Sequence, residues 1–153
     1  MIRQAGAGDV AALTGLINLA FQVERFFKKG DRTTEDHVRT LLGTGVILIA
    51  EDEAGGLAGS TYVEIRDDHV YIGMVSVNPR HQGRGLGRTL MTAAEAHGRA
   101  AGCRVADITV VNLRTELLPF YRKLGYVENG TEPFPDAEAI TRPCHLIAMS
   151  KPL

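Results

Sequence analysis

The chain is poor in cysteine: Cys103 and Cys144 are the only two in 153 residues. Two cysteines make neither a disulfide framework nor a metal site, and no metal is expected. An excess of charge is missing too. The 17 basic residues face 18 acidic ones, for a formal net charge of −1, so nothing marks a nucleic-acid surface. No apolar run reaches the length of a membrane span, and no membrane partner is expected. The opening Met-Ile-Arg-Gln-Ala-Gly lacks the apolar core of a signal peptide. Repeats, low-complexity tracts and linkers are absent as well. These absences predict a cytoplasmic, reduced protein that folds as a single domain over residues 1–153.

What is present is concentrated between residues 70 and 88. An apolar run, Val70 to Val77, stops at Pro79; Gly83, Gly85 and Gly87 follow at alternate positions; a helical pattern then begins. A glycine-rich turn that opens a helix leaves backbone N–H groups unpaired, with the positive end of the helix dipole behind them. That is a phosphate site made of main chain. The spacing excludes two common phosphates. A dinucleotide fingerprint needs glycine at positions one, three and six, and a P-loop needs Gly-Lys-Ser/Thr after four residues; neither register exists here.

Elsewhere the pattern is readable in outline. Met1–Gln4 reads as a strand, and Asp9 as the N-cap of a helix with Val10, Leu13, Leu16, Ile17, Ala20 and Phe21 on one face, running to about Phe26. Thr34 caps a second helix through Leu42. Strands follow at 46–51, 57–65 and 70–77, with turns at 53–56 and 66–68. After the glycine loop come a helix to about Ala101, a strand at 104–111, and a helical pattern at 113–124. Pro119 inside that pattern implies either a kink or a shorter helix with proline at its first position. A strand starts at Tyr126, 131–141 reads as a loop, and 145–150 is the last strand.

Gln82-Gly83-Arg84-Gly85-Leu86-Gly87, set after a strand ending in Val-x-Pro, resembles the acyl-CoA pyrophosphate loop of the GCN5-related N-acetyltransferase (GNAT) family. Pro119-Phe120-Tyr121-Arg122-Lys123-Leu124-Gly125-Tyr126 resembles the family's second motif, and the element order β-α-α-β-β-β-α-β-α-β-β follows it along essentially the whole chain. The resemblance implies an α/β (α+β) acyl-CoA N-acyltransferase fold, a mixed sheet of about seven strands flanked by about four helices. It implies acetyl-CoA as co-substrate and transfer of the acetyl group to a primary amine, of a small molecule or a peptide, by direct attack in a ternary complex. It is also compatible with a homodimer.

The same resemblance distributes roles. Gln82, Gly83, Arg84, Gly85, Leu86, Gly87 and Arg88 would hold the pyrophosphate, and Met74, Val75 and Val77 would meet the pantetheine arm, their strand's N–H groups polarising the thioester carbonyl. Tyr121 would be the general acid to the leaving thiolate. A phenol near pKa 10 and a thiol near 8.5 do not favour full transfer, so the hydroxyl either is tuned or acts as a hydrogen-bond donor. Asn112 would contact the cofactor arm, although nine positions separate it from Tyr121, more than in the family pattern. Glu64 is the favoured general base, with Asp107, His69, His81 and His145 as other candidates. On the acceptor side, Phe26, Phe27 and Phe134 either pack the loops or, with Glu132 and Asp136 opposite, hold a cationic amine, and Arg32 would suit a carboxylate or phosphate. An acyl-cysteine route through Cys144 is disfavoured, because only His145 stands near it in sequence. Two other classes share the fold: a non-catalytic acyl-CoA sensor, and an interaction module that binds no acyl-CoA.

Overall fold

The computed structural model of the chain describes residues 1–153. Its elements, in order, are β1 (Ile2–Gln4), α1 (Val10–Ala20), α2 (Glu35–Thr44), β2 (Val46–Glu51), β3 (Leu57–Arg66), β4 (His69–Val77), α3 (Leu86–Ala100), β5 (Val105–Val111), α4 (Leu117–Lys123), β6 (Val127–Pro133) and β7 (His145–Pro152). Short 3-10 turns lie at Ala7–Asp9, Phe21–Phe26 and Pro79–His81.

All seven strands form one mixed sheet in the order β1-β2-β3-β4-β5-β7-β6. Every pairing is antiparallel except β4 with β5, which is parallel and covers only His69↔Val105, Val70↔Ala106 and Tyr71↔Asp107. Beyond Tyr71 the two strands part, so the sheet opens into a cleft with β4 as one wall. The alternation of the strands sorts their side chains onto two cores. On one face Ile47, Ile49 and Tyr62 pack under α1 and α2, against Val10, Leu13, Ile17 and Val38. On the other, Val63, Val70, Ile72, Ile108 and Val110 pack with Met91 and Ala94 of α3 and with Tyr121 and Tyr126. Glu95 of α3, buried in this second core, accepts from the Tyr126 hydroxyl at 2.8 Å and from Lys151 Nζ at 2.9 Å. Those bonds tie α3 to β7 and satisfy a carboxylate that would otherwise be costly to bury.

Several boundaries differ from the sequence expectation. The helix expected to reach Phe26 ends as an α-helix at Ala20, and Phe21–Phe26 tightens into a 3-10 turn. Three residues per turn place Phe21, Glu24 and Phe27 on one face. Asp9 does precede α1, but its carboxylate does not cap it; Arg3 grips both oxygens at 2.8 and 2.9 Å, and the Gly6 N–H donates to it at 2.8 Å. These partners hold the Asp9 carboxyl down to about 2. Thr34 caps α2 as expected, accepting from the His37 N–H at 3.1 Å. Pro119 is the third residue of α4, where its missing N–H has no intrahelical partner to lose, so neither a kink nor a first-position proline is needed. The extra residues before Tyr121 form the turn at 112–116. Strand β6 continues to Pro133, which the expected loop at 131–141 did not allow; β6 is an edge strand, so the proline costs no ladder bond on its open side.

Candidate active site

The glycine turn lies at the mouth of the cleft. Asn78 starts it by accepting from the Arg80 N–H at 3.0 Å, closing the 3-10 turn before the glycines. Gly83 and Gly85 have φ of +80° and +76°, the left-handed region that side chains disfavour, and a Cβ on either would meet nothing within 4 Å. Glycine is therefore required there by backbone conformation alone. No carbonyl or side chain of the chain accepts from the N–H groups of residues 83–88. They form an open ring of donors at the N-terminus of the 15-residue α3. This fits a pyrophosphate. Arg84 leans on His81, Nη1 to Nδ1 3.3 Å, and Arg88 stands exposed on the first turn of α3. A Cβ on Gly87 would come within 3.3 Å of the Phe120 ring, so the turn and the Phe120-Tyr121 motif are in contact.

Behind the turn, β4 carries a bulge. Between Ser60↔Ser76 and Tyr62↔Gly73, Thr61 alone on β3 opposes Met74 and Val75, and Met74 takes φ +51°. A left-handed methionine costs about 1–2 kcal/mol. Two buried hydroxyls support it: Thr61 donates to the Gly73 carbonyl at 3.0 Å and Ser76 to the Met74 carbonyl at 2.9 Å. Because β5 has left after Tyr71, this stretch of β4 is hydrogen-bonded on its β3 side only. It is an open sheet edge suited to an extended, amide-bearing arm.

Tyr121 lies on the first turns of α4, only 8% exposed, edge-on to Phe120 and Tyr126 with ring centroids 5.0 and 6.0 Å away. Its hydroxyl has no hydrogen-bond partner within the chain. Burial pushes its pKa up to about 12, with Arg114 pulling the other way and Tyr71 adding to the rise. Asn112 follows β5 directly, and its carboxamide oxygen accepts from the His145 N–H at 2.8 Å while its own N–H donates to the His145 carbonyl. That oxygen thus holds the start of β7, and only the amide NH2 is left for a ligand.

The base candidates have different surroundings. Glu64, on β3, accepts from the Tyr62 hydroxyl and from Arg66 Nε, both at 2.5 Å, and these bonds hold its carboxyl below the usual range. Asp107 is engaged by His69 Nδ1 and by the Ser150 hydroxyl, both at 2.6 Å, and this contact raises His69. His81 faces Asp52 at 3.6 Å in the glycine turn, and His145 is exposed at the start of β7.

On the acceptor side, segment 27–29 joins the β6–β7 connection: Lys29 N–H donates to Ala139, Thr141 N–H to Phe27, and Lys28 bridges to Ile140. Of the two readings of Phe27, loop packing is the one seen and acceptor contact is not: the ring is fully buried, edge-on to Phe26 and Phe134 at 4.9 and 6.3 Å. The inward face of the 3-10 turn puts it there, so it fastens two loops together and offers no ring to an acceptor. Phe26 is 45% exposed and lies under Arg142 at 5.7 Å, and Arg32 lies over Phe21 at 5.2 Å. Glu132 and Asp136 are exposed.

Two residues that sequence reading passed over join the halves of the site. Glu24, only 7% exposed, pairs with Arg114 Nη1 at 2.9 Å, and Arg114 Nε reaches Glu116 at 3.1 Å. Burial raises the Glu24 carboxyl while Arg114 opposes the rise. The pair links the 3-10 turn to the loop before Tyr121. Its only signal in sequence was the three-residue spacing Phe21, Glu24, Phe27. Cys144 lies half-buried, and burial and the Glu24 charge push its thiol up, away from a nucleophilic thiolate.

A donor ring at a helix start, an open edge of β4 beside it and a buried tyrosine across the cleft are the parts an acyl-CoA enzyme needs. The family model described as Acetyltransferase (GNAT) family matches residues 12–126, and the chain belongs to that family. It is similar to glucosamine 6-phosphate N-acetyltransferase 1 of Oryza sativa subsp. japonica, 29% identical over 86% of this chain and 83% of the relative. It is also 30% identical to mycothiol acetyltransferase of Propionibacterium freudenreichii over 56% of this chain, a match that spans 29% of that longer protein. The fold is shared with ribosomal-protein-alanine N-acetyltransferase of Brucella melitensis (TM-score 0.81, 23% identity, 100% of this chain and 99% of that one). It is shared as well with a phosphinothricin acetyltransferase of Sinorhizobium meliloti solved with acetyl-CoA (TM-score 0.80, 19% identity, 100% and 88%). No helix is long and apolar enough to cross a membrane.

Proposed function

We propose that this acetyltransferase domain, residues 1–153, moves an acetyl group from acetyl-CoA to a primary amine by direct attack in a ternary complex. The observation that carries the reading is the unpaired N–H ring of residues 83–88, set beside the bulged, half-paired β4, with Gly87 against Phe120, the neighbour of Tyr121. Gly83, Gly85 and Gly87 let the main chain approach the pyrophosphate, Gln82, Leu86 and Arg88 complete the turn, and Arg84 adds charge. Met74, Val75 and Val77 offer peptide groups to the pantetheine arm. Bound acetyl-CoA supplies the activated acyl group as a thioester. As the C–N bond forms and the C–S bond breaks, N–H groups of β4 stabilise the carbonyl oxygen.

Magnitudes decide the role of Tyr121. With its pKa near 12 and a thiol near 8.5, handing over the proton is uphill by about 5 kcal/mol. Tyr121 therefore serves the leaving thiolate as a hydrogen-bond donor, and the proton comes finally from the amine by way of water. Glu64 is the proposed acceptor of that amine proton. Its lowered carboxyl makes it a weak base at neutral pH, so the acceptor amine must enter largely neutral.

The acceptor is a small-molecule amine or a peptide. A panel of both, assayed for free CoA, tests the reading: CoA release that requires an amine supports it. Stabilisation by acetyl-CoA with no release for any amine would favour a sensor. For Glu64→Gln, a shifted acidic limb in the pH–rate profile is expected; an unchanged profile removes Glu64 from the reaction.

A further inference from the structure

The surroundings of Glu24 carry more cations than carboxylates. Arg114 is matched by Glu24 and Glu116, but Arg32 and Lys28 also lie near enough for their charges to act on Glu24. Lys28 Nζ donates to the Asp31 carbonyl at 3.3 Å. Arg32 has no carboxylate partner anywhere in the chain, and neither has Arg142, at the other end of the same 3-10 turn. Arg32 is nevertheless well held. Its neighbour Thr33 is buried and clamped to Asn18 by two hydrogen bonds, Asn18 Nδ2 to the Thr33 carbonyl at 3.1 Å and Thr33 N–H to Asn18 Oδ1 at 2.9 Å. Thr33 Oγ1 meets His37 Nδ1 at 2.7 Å, and the guanidinium rests on Phe21. Phe21 in turn packs on the core that Tyr71 and the bulge residue Met74 also touch.

A guanidinium on a half-buried residue, fixed by its backbone and a ring and in no direct ion pair with a carboxylate, is a preformed oxyanion receptor. We propose that Arg32 binds an oxyanion on the acceptor, a carboxylate or a phosphate, so that the substrate is an amine carrying a negative group. This rests on the transfer reading above and narrows its substrate class.

The test uses two matched pairs: an α-amino acid against its carboxamide, and O-phosphoethanolamine against ethanolamine. Initial rates of CoA release are measured for the full chain and for Arg32→Lys and Arg32→Ala. A charge-assisted hydrogen bond of about 1.5–3 kcal/mol corresponds to roughly 10–150-fold. The wild type should favour the anionic member of at least one pair by that much in kcat/KM, chiefly through KM. The pair that responds tells carboxylate from phosphate. Arg32→Ala should bring the ratio near one, and Arg32→Lys should fall between. A wild-type ratio near one, or a ratio kept in Arg32→Ala, overturns the proposal.

Calorimetric titration of the same four compounds into the CoA-saturated protein separates this claim from the transfer reading. Arg32-dependent binding of an anionic member without CoA release would keep the anion site and overturn transfer. CoA release without anion preference would do the reverse. Absence of both overturns the anion site. Retained stabilisation by acetyl-CoA shows that each variant is folded.

Discussion

Tyr121 combines deep burial with a hydroxyl that nothing in the chain engages. Tyr121→Phe removes one oxygen and little volume, so the fold should survive. Turnover should fall roughly 10–150-fold, the loss of about 1.5–3 kcal/mol for a hydrogen bond to a charged group, while stabilisation by acetyl-CoA persists. Stopped assays of CoA release with melting curves check both. The pH dependence follows from the raised pKa: the phenol stays protonated up to about 12, so turnover should show no alkaline loss from Tyr121 below about pH 11. Folding gains from neutral Tyr121 below the unfolded value near 10 and loses that gain as pH rises toward 12. Tyr121 was legible in the sequence because a local motif surrounds it. Phe27 could be read as loop packing or as an acceptor contact, and the sequence did not decide between them, because its burial depends on a loop more than a hundred residues away and nothing in Phe26-Phe27-Lys28-Lys29 announces that contact.

At the level of elements, the joint between β4 and α3 concentrates the proposed donor site. Gly85→Ala puts a side chain at φ +76° without any steric clash, so its cost is conformational, about 1–2 kcal/mol. A lower melting temperature and weaker acetyl-CoA binding are expected together, since relief of the strain would turn N–H groups away from the ring. A variant that keeps both values would mean that the turn tolerates another shape. Strand and helix order was legible almost throughout, because alternation and 3.6-residue periodicity are local properties. Element ends were less so. The change from α-helix to 3-10 at Phe21 and the extension of β6 to Pro133 are decided by partners distant in sequence or by an edge position, while Asp9 is diverted by Arg3, six residues earlier on β1 and itself paired with Glu51 of β2.

Across the whole molecule, Glu24 and Arg114 stand 90 positions apart and join the 3-10 turn at Phe21–Phe26 to the loop before Tyr121. Arg114→Met would leave the buried Glu24 carboxylate without its hydrogen-bonded cation, at a cost of about 3 kcal/mol. The sign with pH can be stated: without the cation the Glu24 carboxyl rises further, so the loss is greatest at neutral pH and shrinks as acid protonates it. Denaturant midpoints at pH 5 and pH 7.5 measure this, and an equal loss at both would contradict it. Acetyl-CoA at 100 times its dissociation constant should stabilise the chain by about 2.7 kcal/mol, a rise of roughly 5–10 °C for a protein of this size. No rise would contradict acyl-CoA binding itself.

The parting of β4 from β5 after three residue pairs has an evolutionary consequence. Peptide groups, unlike side chains, are the same in every sequence. A donor cleft lined by the main chain of an interrupted sheet and a helix start is therefore insulated from most substitutions, provided that glycine stays where φ is positive. Lineages can then exchange nearly every side chain, and with it the choice of acceptor, without rebuilding the donor half. Identities of 19–23% beside TM-scores of 0.80–0.81 show the fold kept while most side chains differ.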